Sequence, residues 1–171
     1  QETRDRQIML RIMDSCDDYL LRSNETAHFT ASAWVVNHDR SKVLLIHHNI
    51  YNAWTWTGGH ADGEENLLQT ALREVREETG LANIKPVNGD IFSIEIITVD
   101  GHIKSGRYVS SHLHLNVTYL IEADEDEALH IKADENSAIG WFEPEKLDML
   151  SDEKWMKELV YAKLQDKLKG E

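Results

Sequence analysis

Apolar residues recur along this chain with two different periods. Residues 5–22 carry Ile8, Ile12, Cys16 and Tyr19–Leu20 on one side of a helical wheel, which predicts a leading helix. The run HFTASAWVV, His28 to Val36, reads as a strand. Asn37-His38-Asp39-Arg40 reads as a turn, and Lys42 to His48 as the antiparallel partner strand. Leu68, Ala71, Leu72 and Val75 return to helical spacing and form an apolar stripe. Residues 91–99 and 112–121 read as further strands, with Gly101 and Gly106 punctuating their connection. Ala138 to Phe142 is a short strand. A last helix is predicted over 151–168, capped by Ser151 and striped by Trp155, Leu159, Val160 and Leu164. The order is helix, strands, helix, strands, helix, an α/β pattern with no second-domain boundary.

The central helix carries more than a core stripe. Asn66 is its predicted N-cap, and Glu64 and Glu65 favour the positive end of its dipole. Gly80 is suited to the left-handed residue that ends it. Glu74, Glu77 and Glu78 stand three and four positions apart, so they share a face beside the apolar stripe. Clustered carboxylates repel unless a cation lies between them, and hard divalent ions take such oxygen ligands. A solvated acidic face is the alternative for the triplet taken alone.

The flanking residues decide between these readings. Gly59 to Leu81, GHADGEENLLQTALREVREETGL, resembles the Nudix box, G-x5-E-x7-R-E-U-x-E-E-x-G-U with U aliphatic. Gly59, Glu65, Arg73, Glu74, Val75, Glu77, Glu78, Gly80 and Leu81 fill its specified positions. The resemblance implies an α/β/α sandwich with a mixed β-sheet, the whole of 1–171 forming one Nudix domain. Residues 1–25 would be a helical extension, with the box at 59–81 and the C-terminal helix at 151–168. It also implies Mg2+-dependent hydrolysis, with Mn2+ as an alternative ion, of a diphosphate linkage in a small nucleoside diphosphate derivative. Glu74, Glu77 and Glu78 would hold the ion, with a carbonyl of Gly58 or Gly59. Arg73 would orient the acids, paired with Glu65 or with a ligand glutamate. The proton acceptor is a box glutamate or an acid in a later loop. Glu135, six residues before Trp141, is the best later candidate; Glu122 and the acids from Asp124 to Glu127 are weaker ones. Family members often pair, so a homodimer is an expectation.

Composition adds exclusions. The chain has 171 residues, and its net charge of −13 opposes binding to long nucleic acid. One cysteine, Cys16, leaves no internal disulfide and suits a reducing compartment, the cytoplasm. No apolar run reaches membrane-spanning length, and no signal-peptide pattern opens the sequence as it stands.

Other residues carry weaker signals. His112 and His114 share one strand face and make half a zinc site, which no Cys or further His at suitable spacing completes. One of them, or His60, is a candidate for contact with phosphate; His47 and His48 read as strand-end residues. Trp54 and Trp56 flank Thr55 as base-stacking or pocket-wall candidates. Trp34, Trp141 and Trp155 read as packing residues. Thr57 stands where many Nudix members have proline. The downstream proline of ADP-ribose enzymes, the tyrosine of dinucleoside polyphosphate enzymes and the coenzyme A motif are absent. Two other functions compete: a non-catalytic module that binds a nucleotide metabolite, and an isopentenyl-diphosphate isomerase. The first often has an eroded box, and the second needs a pocket cysteine.

Overall fold

A computed structural model describes residues 1–50, 52–104, 106–147 and 154–170. The elements run α1 (Glu2–Ser15), β1 (Ala27–Val36), β2 (Val43–His48), β3 (Ala53–Thr55), β4 (Thr57–His60) and α2 (Leu67–Thr79). There follow β5 (Ile84–Pro86), β6 (Ser93–Val99), β7 (His102–Lys104), β8 (Arg107–Val109), β9 (His112–Ala123) and β10 (Asn136–Phe142). A 3-10 turn (Pro144–Lys146), a π-helical stretch (Met156–Tyr161) and α3 (Ala162–Leu168) complete the chain.

The main sheet is mixed, in the order β10-β2-β1-β9-β5, with β3 on β2, β4 on β1 and β6 on β9. At its centre β1 runs parallel to β9, and every residue of β1 is buried. A strand covered on both faces needs no polar alternation, which is why the run from His28 to Val36 mixes small, hydroxyl and apolar residues. Phe29, Ala31, Ala33 and Val35 pair with Leu115, Val117, Tyr119 and Ile121 on one face. Ala71, Leu72 and Val75 of α2 and Met9 of α1 join them in one core cluster.

The opposite face is divided along its length. At one end Trp34, Val36 and Leu120 pack with Met156, Val160, Tyr161, Leu164 and Leu168 from the C-terminal helices. At the other end the same face shows His28, Thr30 and Ser32 of β1 beside His114, Asn116 and Thr118 of β9. Helices thus cover both faces of a mixed sheet, the α/β/α arrangement expected, but the C-terminal helix leaves the polar half of one face to a cavity.

Two expected helices differ in detail. The leading helix ends at Ser15 rather than Leu21–Arg22, because Cys16 turns to extended backbone (φ −138°, ψ 128°). Tyr19 and Leu20 still reach the α2-side core, from the turns that follow. The predicted cap Ser151 lies outside the described residues. Leu159 and Trp155, expected in the last helix's core stripe, are exposed, whereas Met156 and Tyr161 are buried. The π-helical stretch changes the register of that face.

Candidate active site

The α2 helix is delivered to the site by its two ends. The Asn66 side chain accepts from the Gln69 N–H, and Gly80 closes the helix in the left-handed conformation (φ 75°) with its N–H on the Arg76 carbonyl. Between these ends Ala71 and Val75 lock one side into the core, which aims Glu74 and Glu78 at β4. The contact is close: a Cβ on Gly59 would lie 2.4 Å from Cδ of Glu74. The Gly58 N–H donates to Oε2 of Glu78 at 3.0 Å.

Glu78 is 3% exposed. Burial pushes its carboxyl up to about 8, and Glu74 and Glu135 add repulsion; the Gly58 hydrogen bond opposes both. Glu74 is also raised, first by burial and then by Glu77 and Glu135, against the pull of Arg73 and Lys132. Carboxylates that desolvation makes reluctant to ionise in the bare protein are what a cation would relieve.

The remaining predicted residues fall around this pair. Arg73 pairs with Glu74 at 2.9 Å, so of its two expected partners it meets a glutamate of the expected ligand set. Glu65 is exposed in the turn ahead of α2, where its carbonyl accepts from the Leu67 N–H. Glu77 is 3.8 Å from Lys132, which also holds Glu135 at 3.0 Å. The later-loop acid therefore joins the box acids through a shared lysine. The other late acids do not: Glu122 pairs with Lys85 and His38, Glu125 with Lys42, and Glu127 accepts from the N–H groups of Ala82 and Asn83.

These groups line a cavity of about 1120 Å³. Gly58, Gly59, Glu74, Glu77, Glu78 and Glu135 form one wall. Trp54 and Trp56 form another; Trp56 packs edge-on to Trp34 and Tyr161, and Trp54 edge-on to Phe142. Trp155, expected to be a packing residue, instead stands 38% exposed on the lining. Cys16 is not among the lining residues, so the pocket offers no cysteine among those described.

Sheet register brings a second constellation into the same cavity, one that no spacing along the chain reveals. The β1–β9 register sets His28 against His114, and the β1–β4 register sets His60 against Thr30, one pleat along the same face. His28, His60 and His114 each offer a nitrogen, all within 4.8 Å of one another. The half-site at His112 and His114 thus gains two partners from strands 84 and 52 residues earlier, counting from His112. Burial, then the neighbouring imidazoles, pushes His114 down to about 2, and burial also lowers His28.

Comparison with known proteins agrees with this architecture. The NUDIX domain model matches residues 26–163. A probable DHNTP pyrophosphohydrolase of Lactococcus lactis subsp. cremoris (strain MG1363) is 30% identical over 70% of this chain and 69% of its own. The asymmetrical bis(5'-nucleosyl)-tetraphosphatase of Mus musculus is 32% identical over 66% and 67%. In fold, the chain is similar to a C. elegans Ap4A hydrolase in a binary complex, with a TM-score of 0.60 at 19% identity, covering 83% of this chain and 99% of that one. No helix among the described residues is long and apolar enough to cross a membrane. The chain belongs to the Nudix family and is an enzyme of its pyrophosphohydrolase type.

Proposed function

We propose that this protein hydrolyses a diphosphate linkage in a small nucleoside diphosphate derivative, using Mg2+ or Mn2+ at Glu74, Glu77 and Glu78. The observation that carries the reading is the pair of half-buried Glu74 and buried Glu78 against Gly58 and Gly59 at the cavity wall. The donor set is all oxygen, which suits a hard ion. When bound, that ion supplies neutralisation of the diphosphate charge and lowers the pKa of water.

The chain's own residues do the rest. Glu74, Glu77 and Glu78 would hold the cation, with a carbonyl of Gly58 or Gly59 as a further donor. Arg73 fixes the orientation of Glu74. Glu135, steadied by Lys132, takes the proton from the attacking water. The new P–O bond forms as the bridging P–O bond breaks, giving two phosphorylated products. Trp54 and Trp56 offer flat walls for a base. The names of the relatives favour dinucleoside polyphosphates and dihydroneopterin triphosphate as first substrates to try, although the tyrosine of the former subclass is absent. The single Cys16 fits a cytoplasmic setting.

The test is phosphate release, with a coupled phosphatase, across those compounds, nucleotides and nucleotide-sugars, with and without Mg2+ or Mn2+. We expect one substrate class to be turned over only with metal, and Glu78→Gln to lose at least about a hundredfold in kcat. Full turnover by Glu78→Gln would overturn the site assignment. Metal-independent binding without turnover would favour the binding-module alternative.

A further inference from the structure

Four histidines stand at one end of the sheet: His28 at the start of β1, His60 at the end of β4, and His112 and His114 at the start of β9. The centroids of His28, His60 and His114 form a nearly equilateral triangle, 5.1, 5.2 and 5.0 Å on a side. A buried histidine normally satisfies both ring nitrogens. His28 does not. It is 3% exposed, its Nδ1 meets the Asn24 carbonyl at 2.9 Å, and its buried Nε2 has no hydrogen-bond partner. The carbonyl fixes the tautomer: Nδ1 carries the proton, and Nε2 presents a lone pair toward the other rings. An outer carbonyl that orients a ring in this way is a recurrent feature of metal-binding histidines. His112 repeats it, with Nδ1 2.8 Å from the Ser110 carbonyl and Nε2 3.2 Å from Nε2 of His114.

We infer that His28, His60 and His114 form a second metal site, for a borderline transition-metal ion of the zinc class, with its fourth position open to the cavity and His112 at its rim. Imidazole nitrogens select zinc-class ions over the hard ions that suit carboxylates. Nitrogens bound to one tetrahedral ion at about 2.0–2.1 Å stand roughly 3.3–3.4 Å apart, so a triad within 4.8 Å needs to close by at most about 1.5 Å. Three protein ligands with an open position mark a site that takes a further oxygen, from water or from a substrate phosphate.

The alternation of β4 keeps this site separate from the carboxylates. Gly59 faces Glu74, so the next residue, His60, points to the other side of the strand. Both sides line one cavity, so a hard ion and a zinc-class ion would act on the same substrate from two sides. The inference does not rest on the proposed function, since the triad contains none of the carboxylates.

Co2+ serves as the probe, because four-coordinate Co2+ absorbs strongly in the visible region and six-coordinate Co2+ only weakly. Metal-free protein, wild type and Glu78→Gln, would be titrated with Co2+ in excess Mg2+, and then with Zn2+ in competition. We expect about one strongly absorbing Co2+ per chain in both proteins, displaced by Zn2+. His60→Gln and His114→Gln, with native circular dichroism, are expected to weaken it at least about a hundredfold. His60 and His114 stand on different strands, so each variant guards against a local folding defect in the other. Absence of the intense band from wild type, or its survival in His60→Gln, would overturn the site. Loss of the band in Glu78→Gln alone would place the ion at the carboxylates and overturn it as well.

Discussion

At the scale of single residues, Gly59 and Glu78 set how closely α2 meets β4 at the site. The atoms nearest a Cβ at position 59 would be the carboxylate end of Glu74, which is flexible, so the fold can yield. Gly59→Ala is therefore expected to change stability by less than about 1 kcal/mol while displacing Glu74. Misplacement near 1 Å lowers kcat on the order of a hundredfold. Steady-state kinetics beside a thermal melt checks the split, and an unchanged kcat would remove Glu74 from the site. Glu78 predicts a pH dependence. Its carboxyl, raised from 4.5 to about 8 in the bare protein, stays protonated where the unfolded chain has ionised. Stability of the metal-free protein should then fall as pH rises from about 4.5 to 8, by up to a few kcal/mol. Glu78→Gln should flatten that slope, which denaturant titrations in chelator across the range would show. The box acids, Gly59 and Gly80 were legible because they sit within twenty-three consecutive residues of one pattern. His28 was not, because its neighbours come from β4 and β9 through sheet register, which no local spacing encodes.

Among elements, α2 was readable to within a residue at both ends because its caps are local chemistry. The Asn66 side chain and the left-handed Gly80 act within one turn of the backbone they satisfy. Gly80→Ala tests this. The new Cβ would adopt a strained φ and lie 2.8 Å from Cβ of His130, whose N–H is tied to the Thr79 carbonyl at 2.8 Å. Neither partner yields easily, so a loss of more than about 1 kcal/mol is expected in equilibrium unfolding. A neutral result would show that the 130 loop moves freely. The C-terminal helix was harder to read, since its apolar pattern contains residues for two phases. Leu159 fits an ideal 3.6-residue period, yet the π-helical stretch turns Tyr161 inward to stack on Trp34 at 5.8 Å. The strands of the main sheet were mostly placed within two or three residues, but β3, β4 and β5 went unread. At three or four residues they are too short to show a period.

Across the whole molecule, the two ends of the chain close on each other over β6. Glu2 of α1 accepts from Ser93 and the Ile94 N–H, and pairs with Lys167 at 2.9 Å. Lys163 adds the buried Glu95 at 2.8 Å, which ties the C-terminal helix to the polar row of Asn116 and Thr118 beside the cavity. The leading helix lies outside the family match at 26–163, yet its first residue, Glu2, anchors the helix that backs the site. Burial alone would raise the Glu2 carboxyl; Lys167, Ser93 and Ile94 outweigh it and bring it down to about 2. A depressed carboxyl contributes stability that is present above its unfolded value of 4.5 and is lost as pH falls through about 2. Glu2 and Glu78 therefore act at opposite ends of the pH scale, the first weakening the fold in acid and the second toward alkaline pH. Glu2→Gln is expected to be less stable than wild type near pH 7 by roughly 1–3 kcal/mol, with the gap closing as pH approaches 2. Denaturant midpoints of both proteins across pH 2 to 7 measure that gap. A gap of constant size would mean that Glu2 contributes through packing rather than charge, and the link between the chain's two ends would then carry no pH dependence.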